Sequence, residues 1–200
     1  MPGPDASVRP AHQVAIIGAG DADPATRECA REVGRLVAEA GAVLLCGGRG
    51  GVMEAAAEGA AAAGGLAGGI LPGGGERTSP PNPHSRLPSF TSLGQARNLV
   101  LVLSADALIA IGGEWGTLSE IALAMKHRKP LVLLDSWRLD PPGAPGTPMP
   151  ATASSPAEAV RRAPGLRGAP RRTDHARCVE RPTRPRASPP ASWRLPAPGA

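Results

Sequence analysis

The stretch ADALIAIGGEWGTLSEIALAMKHRKPLVLL, residues 105–134, decides the fold class. Its first apolar run, DALIAI, ends at paired glycines, and its second, LVLLD, ends at an aspartate. Short apolar runs bounded in this way are typical of buried parallel strands. The segment between the two runs has the length and the apolar spacing of a helix. The stretch therefore predicts a strand, a helix and a second strand, which form one βαβ unit of a parallel sheet.

The same alternation extends through the rest of the chain. Apolar runs that end in glycine predict strands in VAIIGAG, AVLLCGG and LAGGILPGGG. Helical spacing predicts helices over residues 23–41, 51–65 and 93–105, and SSPAEAVRRA predicts a last, amphipathic helix. Residues 73–93 are predicted to form a long loop. The pattern as a whole predicts an α/β fold, an open and mostly parallel sheet with helices on both faces.

Charge and composition divide the chain into a folded domain and a tail. The 200 residues suit a single domain. Residues 1–140 carry a net charge of −2, whereas residues 141–200 carry +7 and are rich in proline. We therefore expect a flexible N-terminus over residues 1–12, a folded domain over 13–163 and a disordered basic Pro/Arg-rich tail over 164–200. The tail contains one aromatic residue, Trp193, so nucleic acid is not expected as a partner.

Several classes of protein are disfavoured by the sequence. No apolar stretch approaches the roughly 18 residues that span a bilayer, and the N-terminus lacks the order of a secretory signal. The cysteines are Cys29, Cys46 and Cys178, an odd number without a pattern, which favours a reducing cytoplasm. No spacing of His, Cys and Asp resembles a metal site. We therefore expect a cytoplasmic protein without a membrane segment or a bound metal.

Glycine-rich turns follow the predicted strands. They contain Gly18 and Gly20; Gly47, Gly48, Gly50 and Gly51; Gly73 to Gly75; and Gly112, Gly113 and Gly116. The carboxyl edge of an open α/β sheet is where ligands bind, and glycine lets the backbone approach a bulky anion at the start of a helix. We expect the amides around Gly48 and Gly113 to bind one anion jointly. The dinucleotide fingerprint is incomplete because Asp23 replaces its third glycine, and a Walker lysine is missing.

Two charged side chains lie at the same predicted edge. Arg97 begins the predicted third helix, and Glu120 lies within a turn of the last glycine turn. Glu120 is off the apolar stripe that is expected to face the sheet, Leu118, Ile121, Ala122 and Met125. Arg97 is either a surface residue or an anion ligand. Glu120 either compensates the helix dipole or takes part in the site.

These motifs resemble those of a known superfamily. CGGRGGVMEAAAEGA, GILPG, LGQARN and the stretch at 105–134 are similar to the molybdenum cofactor carrier-type branch of the LOG-like Rossmann superfamily, which also contains lysine decarboxylase-like phosphoribohydrolases. The resemblance implies a Rossmann-like sheet and a homo-oligomer. The candidate ligand-binding residues in the motifs are Gly18, Gly47, Gly48, Arg49, Gly50, Gly51, Met53, Glu54, Asn98, Gly112, Gly113, Gly116 and Thr117.

Two functions from different classes follow from the resemblance. One is a carrier that binds a phosphorylated small molecule, either a pterin such as molybdenum cofactor or a nucleotide. The other is a nucleoside 5′-monophosphate phosphoribohydrolase that releases a free base, with Arg97 and Glu120 as its catalytic residues. The hydrolases carry a lysine where this chain has Asn98 and a proline where it has Ile111. These departures favour the carrier, whereas the matching Glu120 favours the enzyme.

Overall fold

The computed structural model describes residues 11–139 and 148–166 of the chain. The strands are β1 Gln13–Gly18, β2 Val43–Cys46, β3 Ala67–Leu71, β4 Leu87–Phe90, β5 Ala107–Ile111, β6 Leu131–Leu134 and β7 Ala151–Ala153. The helices are α1 Pro24–Glu39, α2 Val52–Ala62, α3 Arg97–Ser104, α4 Trp115–Lys126 and α5 Pro156–Arg162, with a 3₁₀ turn over Gly94–Ala96. Residues 1–10 and 167–200, which hold most of the expected flexible N-terminus and basic tail, lie outside the described residues.

All the paired strands in the described parts of the chain run parallel, in the order β4-β3-β2-β1-β5-β6-β7. Strands β2, β3 and β4 are added in turn on one side of β1, and strands β5, β6 and β7 are added on its other side. Strand order thus reverses between β1 and β5, and the crevice at the carboxyl ends of such a strand pair is the usual ligand site of an open α/β sheet. The predicted fold class, a Rossmann-like α/β sheet, is confirmed.

Two strands, β4 and β7, were not predicted from the sequence because both are short edge strands. The predicted loop over 73–93 contains β4, in which Leu87 aligns with Gly68 of β3. Every residue of β4 is exposed and one is proline, so the strand has neither the apolar run nor the alternation that predicts one. Strand β7, at the opposite edge, has three residues and none of them is fully buried.

Helices cover both faces of the sheet because alternate strand residues point to opposite sides. On β1, Val14 and Ile16 belong to the apolar cluster under α1, α2 and α5, whereas Ala15 and Ile17 belong to the cluster under α3 and α4. Leu166, 6% exposed, is part of the first cluster. Packing therefore continues three residues beyond the predicted domain boundary at 163.

Helix α4 buries a different stripe from the expected one. The buried residues are Thr117, Glu120, Ile121 and Ala124, whereas Ala122 is exposed. The expected stripe was defined by apolar side chains alone. The face that is buried in the structure is rotated relative to it, because the polar Thr117 and Glu120 also point inward. A carboxylate at a buried position requires a reason other than packing.

Candidate functional site

A cavity of about 380 Å³ opens at the carboxyl edge of the sheet, beside the switch between β1 and β5. Its size is within the range of small-molecule sites. The cavity is lined by the turn after β1, the turn after β2, the start of α3 and the start of α4. The predicted site residues among its lining are Gly18, Arg49, Gly50, Met53, Arg97, Asn98, Gly116, Thr117 and Glu120. The fold thus brings together residues that are 102 positions apart in the chain, from Gly18 to Glu120.

Arg97 is the buried cation of this cavity. The residue is 7% exposed, and neither Nε nor Nη1 has a hydrogen-bond partner among the described residues. Nη1 lies 3.9 Å from Oε1 of Glu120, which is an ion pair longer than a hydrogen bond. Burial lowers the pKa of Arg97, and the negative charge of Glu120 opposes this shift. A guanidinium that is buried with donors unpaired is costly unless a ligand supplies acceptors.

Glu120 shares the cavity with Arg97. The residue is 6% exposed, and burial raises its pKa to about 7, although Arg97 lowers it. Burial outweighs the cation because the 3.9 Å separation leaves the carboxylate without a hydrogen bond from Arg97. Near neutral pH the carboxyl is therefore divided between its charged and neutral forms. A group poised in this way can change the charge of the cavity with a small change in pH.

Gly47 makes room for the guanidinium of Arg97. A methyl group at this position would lie 2.2 Å from Nη1 of Arg97 and 2.7 Å from Sδ of Met53. Both neighbours are the ends of flexible side chains, so the clash would move them rather than the backbone. Gly47 was predicted to contact the ligand. In the structure Gly47 instead leaves space for the side chain of Arg97, and Gly47 does not line the cavity.

We expect Gly47→Ala to weaken sulfate binding at least tenfold with little loss of stability. The added methyl displaces Arg97 from the cavity, while the strands and helices keep their packing. Isothermal titration calorimetry with sulfate and a thermal melt of the same sample measure the two effects. Gly75→Ala is the matched control, because a methyl group there has no atom within 4 Å. An unchanged sulfate affinity in Gly47→Ala would contradict the expectation that Arg97 binds anions.

A second cavity, of about 360 Å³, adjoins the first. The two share Ala19, Asp21 and Glu114 in their linings. Gly112 and Gly113 line this second cavity and not the first. No lysine or arginine lines it in the described part of the chain, whereas its acidic residues are Asp21, Asp23, Glu114 and Asp135. The second cavity therefore suits a neutral or hydrogen-bond-donating part of a ligand better than a phosphate.

The expected joint anion site of Gly48 and Gly113 is not formed. Gly48 is buried against Leu71 and Gly69, and its amide donates to Sγ of Cys46 at 3.3 Å. Its carbonyl accepts from the amide of Asn82 at 2.8 Å. Gly113 lies at the other cavity, with a φ of 128° that favours glycine. Both turns lie at the carboxyl edge of the sheet, but the amide of Gly48 is already occupied within its own turn.

Three further predicted residues have structural contacts. Gly51 packs against the first glycine turn, since a methyl group there would lie 2.3 Å from the carbonyl oxygen of Ala19. Gly18 lines the cavity and also packs against Val52 of α2. Glu54 pairs with Arg27 of α1 at 3.1 Å and does not line either cavity. These contacts join the first two turns and the helices that follow them.

Asp21, Gln95 and Glu114 also line the first cavity, although they were not predicted from the sequence. A signal was present, because Asp21 and Glu114 each follow a glycine directly and Gln95 is within the LGQARN motif. No group of three or more His, Cys, Asp or Glu in the described residues could hold a metal ion. Within the same residues no helix is long and apolar enough to cross a membrane.

These features define an α/β protein with a cavity of about 380 Å³ at the carboxyl edge of a parallel sheet. The chain belongs to the SLOG cluster4 family, whose model matches residues 11–159. An uncharacterised protein of Archaeoglobus fulgidus is 47% identical over 133 residues, which cover 64% of this chain and 86% of that protein. The family match confirms the resemblance inferred from the sequence motifs.

Solved structures with the same fold include two proteins connected with molybdenum cofactor. The molybdenum cofactor binding protein of the phototrophic bacterium Rippkaea orientalis is 35% identical, with a TM-score of 0.68 over 77% of this chain and 96% of that one. The molybdenum cofactor carrier protein of Chlamydomonas reinhardtii is 34% identical, with a TM-score of 0.66 over 76% of this chain and 95% of that one. This chain therefore has the carrier-type Rossmann-like fold.

Proposed function

We propose that this protein is a carrier that binds a phosphorylated small molecule, with molybdenum cofactor or a related pterin as the leading candidate. The observation that carries the proposal is the buried guanidinium of Arg97, whose Nε and Nη1 have no partner in the described parts of the chain. A phosphate would supply the acceptors that these donors lack. The likeness to the two solved proteins supports the pterin, because those proteins bind or carry molybdenum cofactor.

The residues of the two cavities fit the parts of such a ligand. Arg97 in the first cavity suits the phosphate, and Arg49, exposed at its rim, adds a second positive charge. The second cavity offers carboxylates and Trp137, which suit a planar ring that donates N–H groups. In this proposal the cofactor is cargo, and the protein supplies shape, charge and protection from water. The ligand lies across the shared wall of the two cavities.

A phosphoribohydrolase is the second candidate, and Glu120 is the observation that favours it. Its carboxyl lines the same cavity as Arg97, and burial raises its pKa to about 7. A carboxyl poised near neutral pH can serve as an acid or a base, and its charged form can stabilise an oxocarbenium-like transition state. Asn98 argues against this activity, because the lysine of the hydrolases is absent.

One experiment separates the two functions. Purified full-length protein is incubated with AMP and with a cytokinin nucleoside monophosphate, and free base is measured by chromatography, while calorimetry measures binding of AMP to the same preparation. We expect binding without release of base. Release that is lost in Glu120→Ala would overturn the carrier and establish the hydrolase. A phosphorylated pterin is titrated in the same way, and failure of both AMP and the pterin to bind would contradict both functions.

Glu120 should make anion binding depend on pH. We expect sulfate to bind about tenfold more tightly at pH 6 than at pH 8, because protonation of Glu120 removes a negative charge from the cavity. Sulfate keeps its own charge over this range, so the dependence belongs to the protein. Glu120→Gln is the control and should bind equally at both pH values. An unchanged pH dependence in Glu120→Gln would show that another group controls the binding.

The same carboxyl affects stability with a defined sign. Its folded-state pKa, about 7, lies above its ordinary value of 4.5, so the folded chain holds this proton more tightly than the unfolded chain. The contribution of Glu120 to stability is therefore largest at low pH and is lost progressively as the pH rises towards 7. This cost at neutral pH is typical of a residue retained for binding rather than for packing.

We also propose that the protein is a cytoplasmic homo-oligomer. Leu87, Leu93 and Leu103 are 53%, 50% and 47% exposed, and they lie on β4, the turn that follows it and α3. Large exposed apolar side chains such as these favour association with a second copy. Light scattering of the purified chain measures its mass. A monomer at micromolar concentration would contradict the association.

A further inference from the structure

The orientation of the Asn98 side chain is determined by a short hydrogen-bond chain. Asn98 follows Arg97 on α3, is 5% exposed and lines the first cavity. Its side-chain amide lies 2.8 Å from Oγ of Ser119, and the hydroxyl of Ser119 donates to the carbonyl oxygen of Gly116 at 2.7 Å. These two hydrogen bonds thus connect α3 to the first turns of α4. They hold Asn98 in place beside Arg97.

The hydrogen bonds from Asn98 to Ser119 and from Ser119 to Gly116 also determine which side-chain atom of Asn98 remains for a ligand. A hydroxyl has one proton, and the proton of Ser119 is engaged by the carbonyl of Gly116, which can only accept. Oγ of Ser119 must therefore accept from Asn98, so the NH₂ group of Asn98 faces Ser119. Its carbonyl oxygen, Oδ1, is left as a buried acceptor with no partner in the described residues. A buried acceptor without a donor costs free energy until a ligand supplies one.

Arg97 and Asn98 thus present opposite requirements at adjacent positions. Nε and Nη1 of Arg97 are donors without acceptors, and Oδ1 of Asn98 is an acceptor without a donor. A lysine or arginine at position 98 would present only donors and would suit a bare anion. An asparagine held in this orientation suits a different ligand. The pair is complementary to an anionic group that carries a hydrogen-bond donor.

Resting on the proposed binding of a phosphorylated ligand, we propose that Asn98 selects anions that bear a hydrogen-bond donor, and that Ser119 is the positioning residue that fixes this preference. The ligand class is a phosphate that retains a proton, or a phosphate next to a hydroxyl or N–H group, rather than a sulfate or a fully substituted phosphate. Arg97 binds the oxygens of the anion. Oδ1 of Asn98 accepts the proton of the adjoining P–OH, hydroxyl or N–H.

Inorganic phosphate and sulfate at about pH 8 provide a matched pair of probes. Both are tetrahedral dianions at this pH, and they differ in the one P–OH proton that phosphate retains. We expect the full-length protein to bind phosphate at least tenfold more tightly than sulfate by isothermal titration calorimetry, since sulfate leaves Oδ1 of Asn98 unpaired. Equal affinities for the two anions would overturn the proposal. Failure of both phosphate and sulfate to bind would also overturn the proposal about Asn98. The proposed function would still be decided separately, by the titration with AMP.

Variants at both ends of the hydrogen-bond chain complete the test. Asn98→Leu should lower the phosphate-to-sulfate preference to near unity while sulfate still binds through Arg97. Ser119→Ala, at an exposed position, should reduce the preference, and Ser119→Thr should retain it because the hydroxyl remains. A preference that survives both Asn98→Leu and Ser119→Ala would overturn the proposal. A preference lost only in Glu120→Gln would assign the acceptor to Glu120 and overturn it as well.

Discussion

We expect Arg97→Met to bind sulfate at least 100-fold more weakly than the parent chain, with no loss of thermal stability. Arg97 is the buried cation of the first cavity, and in the proposed function its guanidinium supplies the hydrogen-bond donors for the anion. Hydrogen bonds to charged groups contribute about 1.5–3 kcal/mol each, so the loss of two accounts for an effect of this size. Calorimetric titration with sulfate at about pH 6.5 measures the change.

Stability should move in the opposite direction from binding. Burial already lowers the pKa of Arg97, which shows that the folded chain bears a cost for its charge. The ion pair with Glu120 is 3.9 Å long and recovers little of this cost. Once Arg97 is replaced, Glu120 takes up a proton more readily and leaves no buried charge. A melting temperature equal to or above that of the parent is therefore expected.

Arg49→Met is the matched control, because Arg49 lines the same cavity at an exposed position. An exposed cation contributes less to binding than a buried one, so we expect its affinity for sulfate to fall only a few-fold. Equal losses in Arg97→Met and Arg49→Met would mean that the cavity attracts anions by general charge alone. That result would contradict the assignment of Arg97 as the principal ligand.

The second large effect concerns the packing of α1 on α2. We expect Gly34→Ala to destabilise the fold by about 3 kcal/mol, which corresponds to a fall of roughly 10 °C in melting temperature. A methyl group on Gly34 would lie 1.9 Å from the carbonyl oxygen of Ala56. The contact is reciprocal, since a methyl group on Gly59 would lie 1.9 Å from the carbonyl oxygen of Arg31. Backbone atoms cannot rotate away, so the two helices must separate.

Gly116→Ala provides the control for this prediction. Gly116 is also helical, but a methyl group there has no atom within 4 Å. Alanine is the better helix former, and Gly116 is in the first turn of α4, where this preference is weaker than in a helix interior, so the variant should be at least as stable as the parent. Urea denaturation of the parent and both variants measures the three stabilities. A Gly34→Ala variant as stable as the parent would show that α1 and α2 are further apart than described.

Both expected effects arise from residues whose importance the sequence shows only in part. LGQARN identified Arg97 as a candidate because the motif belongs to a known superfamily, but a surface position remained an equal interpretation. Gly34 and Gly59 are single glycines within helical patterns, and only the distance between two helices explains them. Likewise Gly47 was predicted to contact a ligand, whereas it contacts Arg97, 50 residues further along the chain.

The sequence by itself determined the class of the fold and the edge of the sheet at which the candidate site lies. Apolar runs that end in glycine require buried parallel strands, and such strands present their carboxyl ends to one side. Arg97, Asn98, Thr117 and Glu120 could therefore be assigned to one edge of the sheet from their positions in the chain. These features depend on local periodicity and on motif, which are properties of neighbouring residues.

Tertiary structure alone decided which of these residues share a cavity, how deeply they are buried and which of their polar atoms are hydrogen-bonded. The burial that raises the pKa of Glu120, the unpaired donors of Arg97 and the position of Gly48 outside both cavities arise from contacts between distant segments. The edge strands β4 and β7 also depend on pairing with neighbours rather than on their own sequence. Desolvation and hydrogen bonding act through space, so a linear pattern of residue types does not contain them.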